Sequence, residues 1–273
     1  MLHILLTNDD GVHSPGLFAL KQALSTCGRV SVIAPDSNRS AIGRGVTVRD
    51  PLHVEEVQLP DGSPAFATDG TPVDCVRFAT LGLVGSTPDL IVSGINLGLN
   101  LGDDVTYSGT VAAALEGVLL GWPALAVSVE STARDASQWE GHKYDFRAVA
   151  AFAAALVPVV ADERFPRDVM LNVNAPGLTP DEVNGVSVTR LGRRIYHDEL
   201  VLESVEGARR RYSIYGNTAS YRREEGTDFA AIEAGEISVT PMHFDLTDVE
   251  GMTRLEQVQL ADLLQDRAWQ NVK

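Results

Sequence analysis

Asp9 and Asp10 are the residues of this sequence with the clearest potential for chemistry, because adjacent carboxylates repel each other unless a cation lies between them. They follow the apolar residues 3–7 and stand directly before Gly11, a turn former. Carboxylate oxygens bind hard cations such as Mg²⁺ or Mn²⁺, with water in the remaining positions. An isolated Asp-Asp pair is more often a solvated loop. The pair therefore needs support from other parts of the chain.

Two further segments supply oxygen atoms of the same kind. Ser40 offers a hydroxyl in the loop after residues 30–34, and Asn96 offers an amide after residues 90–93. The loop at Ser40 is equally consistent with a polar connection whose side chains cap a helix. The loop over 93–104 is long and spaced by glycines, so ordering it is unfavourable unless a ligand or partner uses it. That length favours a functional loop.

Ser108, Gly109 and Thr110 stand at the start of a predicted helix over 111–120. The first N–H groups of a helix and the positive end of its dipole bind phosphate well. Helix capping by Ser108 or Thr110 is the alternative interpretation and is compatible with phosphate binding. Carboxylates, a hydroxyl, an amide and a helix N-terminus together predict metal-assisted chemistry on a phosphate.

Apolar segments of strand length alternate with segments of helical spacing through the first 185 residues. We predict strands over 3–7, 30–34, 90–93, 124–129 and 169–173, and helices from Pro15, over 111–120 and over 146–160. Strands that are apolar on both faces are typical of a parallel sheet covered by helices on both sides. The carboxyl ends of such strands meet at one edge, which would bring the polar segments together.

The pattern changes after about residue 185. The segments 186–191, 200–205, 211–215 and 236–239 alternate apolar with polar residues, and we detect no helical segment between them. Alternation of this kind is typical of hairpins with one solvated face. We therefore divide the chain into a catalytic core over 1–185, a hairpin arm over 186–247 outside the sheet core, and a C-terminal helical segment over 248–273.

Composition limits the classes of function. A chain of 273 residues with 44% hydrophobic and 22% charged residues is globular rather than disordered or coiled coil. A net charge of -15 argues against binding of duplex nucleic acid. Two cysteines, no leader segment and no apolar run near the ~20 residues that span a bilayer predict a cytoplasmic protein without membrane insertion.

Positive charge is concentrated between Arg190 and Arg223. This segment has eight arginines against four acids, a net charge of +4, which leaves -19 for the rest of the chain. The arginines could attract phosphate-rich substrates. An arm that docks onto an acidic neighbouring subunit explains the asymmetry with fewer assumptions, so we favour self-assembly.

Five stretches of the chain form a set of motifs. They are Leu5-Leu6-Thr7-Asn8-Asp9-Asp10-Gly11, Ala34-Pro35-Asp36 with Asn38-Arg39-Ser40, Gly70-Thr71-Pro72-Val73-Asp74-Cys75-Val76, Ser93-Gly94-Ile95-Asn96-Leu97-Gly98 through Tyr107-Ser108-Gly109-Thr110, and Ser238-Val239-Thr240-Pro241-Met242. In this order along the chain, they resemble the motifs of the SurE family of 5'-nucleotidases. The resemblance extends from residue 3 to about residue 247, nearly the whole chain.

The resemblance implies a three-layer α/β/α Rossmann-like fold with a mostly parallel sheet and a C-terminal β-hairpin extension. It also implies homodimers or homotetramers with exchanged C-terminal elements. The implied activity is metal-dependent hydrolysis of nucleoside 5'-monophosphates, in some members also of 3'-nucleotides or short polyphosphate. Carried over by position, one Mg²⁺ or Mn²⁺ per subunit would bind Asp9, Asp10, Ser40 and Asn96, with Asp9 and Asn96 catalytic and with Ser108, Gly109 and Thr110 on the phosphate.

The sequence departs from the family pattern after Ser40. The family usually has Gly next and Ser two positions later, whereas Ala41-Ile42-Gly43 follow here. Two alternatives stay open: a nucleotide-binding sensor or assembly module without turnover, and a mechanism in which Asp9 forms an aspartyl-phosphate. We interpret Asp103 and Asp104 as solvated loop acids rather than as ligands of a second metal.

Overall fold

The computed structural model describes residues 1–132, 143–214, 220–258 and 260. The chain divides into two compact units, Met1–His243 and Phe244–Lys273. Within the described ranges, no helix combines the length and the apolar character that crossing a membrane requires.

A nine-stranded sheet forms the centre of the first unit, in the order β3-β4-β2-β1-β5-β6-β7-β13-β8. The strands in chain order are β1 His3–Thr7, β2 Arg29–Pro35, β3 Val54–Gln58, β4 Pro64–Thr68, β5 Leu90–Leu97, β6 Ala124–Val129, β7 Met170–Ala175, β8 Gly185–Val188, β9 Arg194–Ile195, β10 Val201–Glu206, β11 Arg209–Ser213, β12 Ser220–Tyr221 and β13 Glu236–Met242. Pairing is parallel from β4 through β7 and between β13 and β8, and antiparallel for β3-β4 and β7-β13.

Helices cover both faces of this sheet, which confirms the predicted α/β class with a mostly parallel sheet. The helices are α1 Pro15–Leu24, α2 Pro72–Thr80, α3 Gly109–Leu119, α4 Arg147–Ala161, α5 Asp228–Glu233 and α6 Val249–Glu256, with a 3-10 helix over Gly102–Thr106. Successive side chains of a strand point to opposite faces. Ile4 and Leu6 of β1 accordingly pack with α1 and α4, and Leu5 packs with α2 and α3.

The structure lengthens one predicted strand in a way that matters for the site. The sequence pattern ended the third predicted strand at residue 93, but β5 continues through Gly94 to Leu97 and resumes its pairing with β6 at Asn96. A Cβ on Gly94 would lie 2.2 Å from the carbonyl oxygen of Val127, so glycine is required at this close approach. Gly94, which the sequence pattern indicated as the start of a turn, is instead a glycine required by close packing between two strands.

The prediction that all of 186–247 lies outside the sheet core is wrong. Strands β8 and β13 extend the main sheet, and the short helix α5 precedes β13. Ile237 and Val239 of β13 are buried in the same apolar cluster as Val173 of β7. Short alternating strands at a sheet edge and in a free hairpin have the same sequence pattern, so the pattern could not separate them.

The predicted hairpin is present, but its burial differs from the prediction. Strands β10 and β11 form an antiparallel hairpin whose residues are all exposed, so both of its faces, and not one, are solvated. Helix α6 begins directly after Asp248, as its sequence pattern indicates. Tyr215 and the part of the predicted C-terminal helix beyond residue 260 lie outside the described residues.

Asp228, the first residue of α5, connects this helix to two distant loops. Its buried carboxylate accepts hydrogen bonds from the N–H groups of Gly102 at 2.7 Å and Gly192 at 2.8 Å. It also accepts from the N–H of Phe229 at 2.9 Å. Burial raises the pKa of this carboxyl, and the three N–H donors oppose that rise. The 3-10 helix that begins at Gly102 is therefore tied to α5.

We expect Asp228→Ala to lower the free energy of unfolding by roughly 3 kcal/mol, because it leaves three buried N–H groups without an acceptor. Urea denaturation measures this change. Glu233→Ala is the matched control, because it removes an acid of the same helix whose ion pair with Arg223 is exposed; it should change stability by about 1 kcal/mol or less. Equal losses in the two variants would show that Asp228 does not anchor the loops.

Candidate functional site

Four of the predicted site residues line one cavity of about 630 Å³, which we call the site cavity. They are Asp9, Ser40, Asn96 and Ser108. Asp9 follows β1, Ser40 follows β2, Asn96 lies at the end of β5, and Ser108 precedes α3. The carboxyl ends of neighbouring parallel strands bring these side chains together, as the sequence analysis predicted.

Asp9 is held by the N-terminus of α3. It is 3% exposed, and its Oδ2 accepts a hydrogen bond from the N–H of Thr110 at 3.1 Å. Its Oδ1 accepts from the hydroxyl of Thr110. Burial raises the pKa of Asp9, while the donors of Thr110 and then of Gly109 lower it. A helix N-terminus stabilises an anion, and in this fold that anion is the Asp9 carboxylate.

This geometry places Thr110 differently from the predicted phosphate contact. Its side chain is fully buried, and both its N–H and its hydroxyl donate to Asp9. Gly109 also serves this contact, because a Cβ on Gly109 would lie 2.9 Å from Oδ2 of Asp9. Ser108 lines the site cavity, and its Oγ accepts from the N–H of Val111 as a helix cap. Of the three predicted residues, only Ser108 lines the cavity wall.

Asp10 faces a neighbouring cavity of about 270 Å³, which it lines together with His13 and Asp36. Its Oδ2 accepts a hydrogen bond from the N–H of Leu97 at 3.0 Å, which ties the end of β1 to the end of β5. Burial, followed by the charge of Asp9, raises the pKa of Asp10 to about 6. Among the described residues, no lysine or arginine forms an ion pair with either carboxylate.

Asn96 and Ser40, the other two predicted metal ligands, are positioned by hydrogen bonds that involve the backbone. The side-chain N–H of Asn96 donates to the carbonyl of Gly98 at 2.7 Å, which leaves its amide oxygen for a ligand. The N–H of Ser40 donates to Asn38, and the preceding N–H of Arg39 donates to the carbonyl of Asp9 at 2.7 Å. Backbone bonds thus connect the loop of Ser40 to Asp9.

The donor set fits a hard divalent cation. Two carboxylates without a cationic partner, an amide oxygen and a hydroxyl are the ligands that Mg²⁺ and Mn²⁺ prefer. In the described ranges, no group of three or more His, Cys, Asp or Glu side chains is placed to hold a metal ion, so a cation here would also need the amide and hydroxyl oxygens. A cation here would also relieve the repulsion between Asp9 and Asp10.

The backbone after Ser40 has a conformation for which glycine is the favoured residue. Ala41 has a φ of 58° and is the one non-glycine residue with positive φ in the described part of the chain. A left-handed conformation favours glycine, but a small side chain can adopt it at modest cost. The loop is anchored further along, because Gly43 donates to Tyr107 at 2.9 Å and Arg44 pairs with the buried Glu116.

The structure changes the interpretation of Asp103 and Asp104. Asp104 forms an ion pair with Arg194 and accepts a hydrogen bond from the hydroxyl of Tyr196 at 2.6 Å. Asp103 accepts from the N–H of Arg194 at 3.1 Å. These acids therefore connect β9 to the 3-10 helix; Asp103 is exposed, as predicted, and Asp104 is partly buried. The sequence analysis did not predict these contacts, because about 90 residues separate the two acids from Arg194 and Tyr196.

Sequence reasoning also missed a buried amide cluster beneath the site loop. The N–H of Asn100 donates to Oδ1 of Asn174 at 2.8 Å, and its carbonyl accepts from the side chains of Asn172 and Asn174. The side chain of Asn100 donates to Ser128 at 2.8 Å. These contacts order the glycine-rich loop from below. Asn172 and Asn174 alternate within an otherwise apolar strand, which is the signal that could have marked them.

The fold and the site define an α/β protein with an oxygen-rich cavity at the carboxyl edge of a parallel sheet. The sequence model of the family described as Survival protein SurE matches residues 4–198. The chain belongs to the SurE family.

Individual relatives match over nearly the full chain. The chain is 48% identical over 268 residues to a protein of Rubrobacter xylanophilus named 5'-nucleotidase SurE, covering 96% of this chain and 99% of the relative. A protein of the same name from Geobacter sulfurreducens is 46% identical over 260 residues, with 95% of each chain covered. The crystal structure of the SurE protein from Aquifex aeolicus matches with a TM-score of 0.77 and 38% identity, covering 94% and 99% of the two chains.

We expect Gly109→Ala to weaken Mn²⁺ binding about 10- to 100-fold, the usual effect of disturbing the support of a metal ligand. The new Cβ would lie 2.8 Å from the Cβ of Asp9 and displace it, although alanine suits a helix better than glycine. Titration calorimetry measures the affinity. Leu119→Ala, at the exposed end of the same helix, is the control. Wild-type affinity in Gly109→Ala would contradict the assigned geometry.

Ala41→Val should weaken Mn²⁺ binding and lower stability by about 1–2 kcal/mol, because a β-branched residue is strongly disfavoured at positive φ. Ala41→Gly should retain the wild-type affinity, since glycine adopts this conformation freely. Ile42→Val, which introduces the same residue at the exposed neighbouring position, is the control. Thermal unfolding and Mn²⁺ titration test both effects. Identical behaviour of Ala41→Val and Ile42→Val would refute the strain at position 41.

Proposed function

We propose that this protein is a 5'-nucleotidase that hydrolyses nucleoside 5'-monophosphates to nucleoside and phosphate. The main support for the proposal is that Asp9, Asn96 and Ser108 line one cavity. Asp10 is hydrogen-bonded to Leu97, at the end of the strand that carries Asn96. The names of the relatives from Rubrobacter xylanophilus and Geobacter sulfurreducens support this activity.

The proposed activity depends on one divalent cation per subunit, Mg²⁺ or Mn²⁺, with four protein ligands. These are Asp9, Asp10, Ser40 and Asn96. Such a cation supplies Lewis-acid chemistry, because it offsets the negative charge of the phosphoryl oxygens. Thr110 keeps both oxygens of Asp9 in fixed positions, and Gly98 does the same for the amide of Asn96. The chain therefore holds two of the four proposed ligands, Asp9 and Asn96, in fixed positions.

Ser108 is the proposed contact to the substrate phosphate. Its Oγ already accepts from the N–H of Val111, so its hydroxyl proton can donate to a non-bridging phosphoryl oxygen. We propose that Gly109 and Thr110 act on the phosphate indirectly, through the position of Asp9. In the proposed reaction, water attacks phosphorus, the bond from phosphorus to O5' breaks, and O5' takes up a proton as the nucleoside leaves.

An aspartyl-phosphate on Asp9 is the rival mechanism. In that mechanism the attacking oxygen would come from a carboxylate whose two oxygens each accept a hydrogen bond from Thr110, which lowers their nucleophilicity. Stereochemistry at phosphorus separates the mechanisms, and hydrolysis of an ¹⁸O-labelled nucleoside phosphorothioate that is chiral at phosphorus, in ¹⁷O-labelled water, measures it. We expect inversion, because direct attack by water is a single displacement. Retention, the result of two successive displacements, would establish the covalent route through Asp9.

The direct test is phosphate release from AMP with Mn²⁺, Mg²⁺ or a chelator. We expect cation-dependent release by the wild type and a loss on the order of 100-fold or more in Asp9→Asn, which removes a charged ligand of the proposed metal site. Asp181→Asn is the control, because it makes the same charge change at an exposed position. Binding of AMP by the wild type without phosphate release would instead establish the nucleotide-binding sensor. 3'-AMP and tripolyphosphate in the same panel test the wider substrate range.

We propose that the protein assembles into homodimers or homotetramers with exchanged C-terminal elements. Exposed apolar residues on the hairpin, among them Leu202, Val205 and Tyr212, support an arm that docks on another subunit. Three of the arginines between 190 and 223 pair with acids of the same chain, so fewer positive charges are left to attract an acidic neighbouring subunit. These pairs are Arg190 with Glu224, Arg194 with Asp104 and Arg223 with Glu233.

The proposed location of the protein is the cytoplasm. The unpaired thiols of Cys27 and Cys75 fit this location.

A further inference from the structure

Two tyrosines line the site cavity although the chemistry at phosphorus does not require them. Tyr107 is 59% exposed and Tyr196 is 46% exposed, and both contribute to the cavity wall. Large aromatic side chains lose favourable burial when they stand exposed, unless a ligand covers them. The cavity holds about 630 Å³, which matches a small organic ligand rather than a phosphate group alone.

Tyr107 is fixed through its backbone, and its side chain is exposed. Its N–H donates to the carbonyl of Asp104 at 3.0 Å, and its own carbonyl accepts from the N–H of Gly43 at 2.9 Å. The next residue is Ser108, the proposed phosphate contact. The ring therefore projects from a rigid point directly beside the position of the phosphate.

Tyr196 reaches the same cavity from a different part of the chain. Its hydroxyl donates to Oδ1 of Asp104 at 2.6 Å, and Oδ2 of Asp104 accepts from Nε of Arg194 at 2.7 Å. The bond to Asp104 restrains the ring, and the ion pair with Arg194 offsets the charge of Asp104 beside it. The hydroxyl of Tyr196 is thus engaged, and the ring is what the side chain offers to a ligand.

We propose that Tyr107 and Tyr196 form an aromatic platform that binds the nucleobase of the substrate, an inference that rests on the proposed nucleotidase function. Base stacking on aromatic side chains tolerates any base, because every base has a π-face. The platform therefore favours nucleotides over other phosphate monoesters without selecting one base strictly. Purines, with the larger stacking surface, should bind better than pyrimidines.

The test compares AMP with ribose 5-phosphate, which keeps the phosphate and the ribose but lacks the base. With Mn²⁺ present, we expect the wild type to prefer AMP, and we expect Tyr107→Ala to lower kcat/KM for AMP about 10-fold, mainly through KM. The kcat/KM for ribose 5-phosphate should stay within about twofold, because this substrate has no base to stack. Tyr107→Phe should behave as the wild type, and Tyr196→Ala should resemble Tyr107→Ala.

Two results would overturn the platform. One is a wild type that does not prefer AMP over ribose 5-phosphate, and the other is an equal loss for both substrates in Tyr107→Ala. If the wild type releases phosphate from neither substrate, the proposed function itself fails. In that case, calorimetric titration with AMP decides the inference separately, and unchanged affinity in both alanine variants would refute it.

Discussion

The contact between the Asp9 carboxylate and the first turn of α3 is the interaction on which the rest of the site depends. An unpaired buried carboxylate is strongly disfavoured. The N-terminus of a helix offsets part of this cost through its free N–H groups and its dipole. Thr110 supplies both donors, and burial still raises the pKa of Asp9. The site is therefore preorganised but remains short of positive charge, which is the condition for cation binding.

The parallel sheet makes this contact possible because it aligns the ends of β1, β2 and β5 on one edge. Smaller contacts then set the details of the site. Leu97 ties Asp10 to β5, and the amide cluster at Asn100 supports the loop that follows. Asp228 holds the start of the 3-10 helix from the other side. Residues that are far apart in sequence thus stabilise one wall of the site cavity together.

Local sequence patterns predicted the elements whose signal is local. The apolar runs at β1 and β6, and the Pro start of α1, agree with the structure. The patterns did not predict the hairpin of β3 and β4 or the place of β13 in the sheet, because pairing between distant segments leaves no local mark. The same limit applies at the site. The ion pair of Asp104 with Arg194 and the hydrogen bonds from Thr110 to Asp9 join residues that are distant in sequence, so local patterns could not predict them.

We propose that the carboxyl edge of the sheet binds one divalent cation per subunit at Asp9. Anomalous X-ray scattering from a crystal grown with Mn²⁺ tests this proposal. We expect a single strong peak per subunit about 2.1 Å from oxygens of Asp9, Asp10, Ser40 and Asn96. In the same map, the Asp9 carboxylate should still accept both hydrogen bonds from Thr110. A strong peak elsewhere, with no metal at Asp9, would rule out this site.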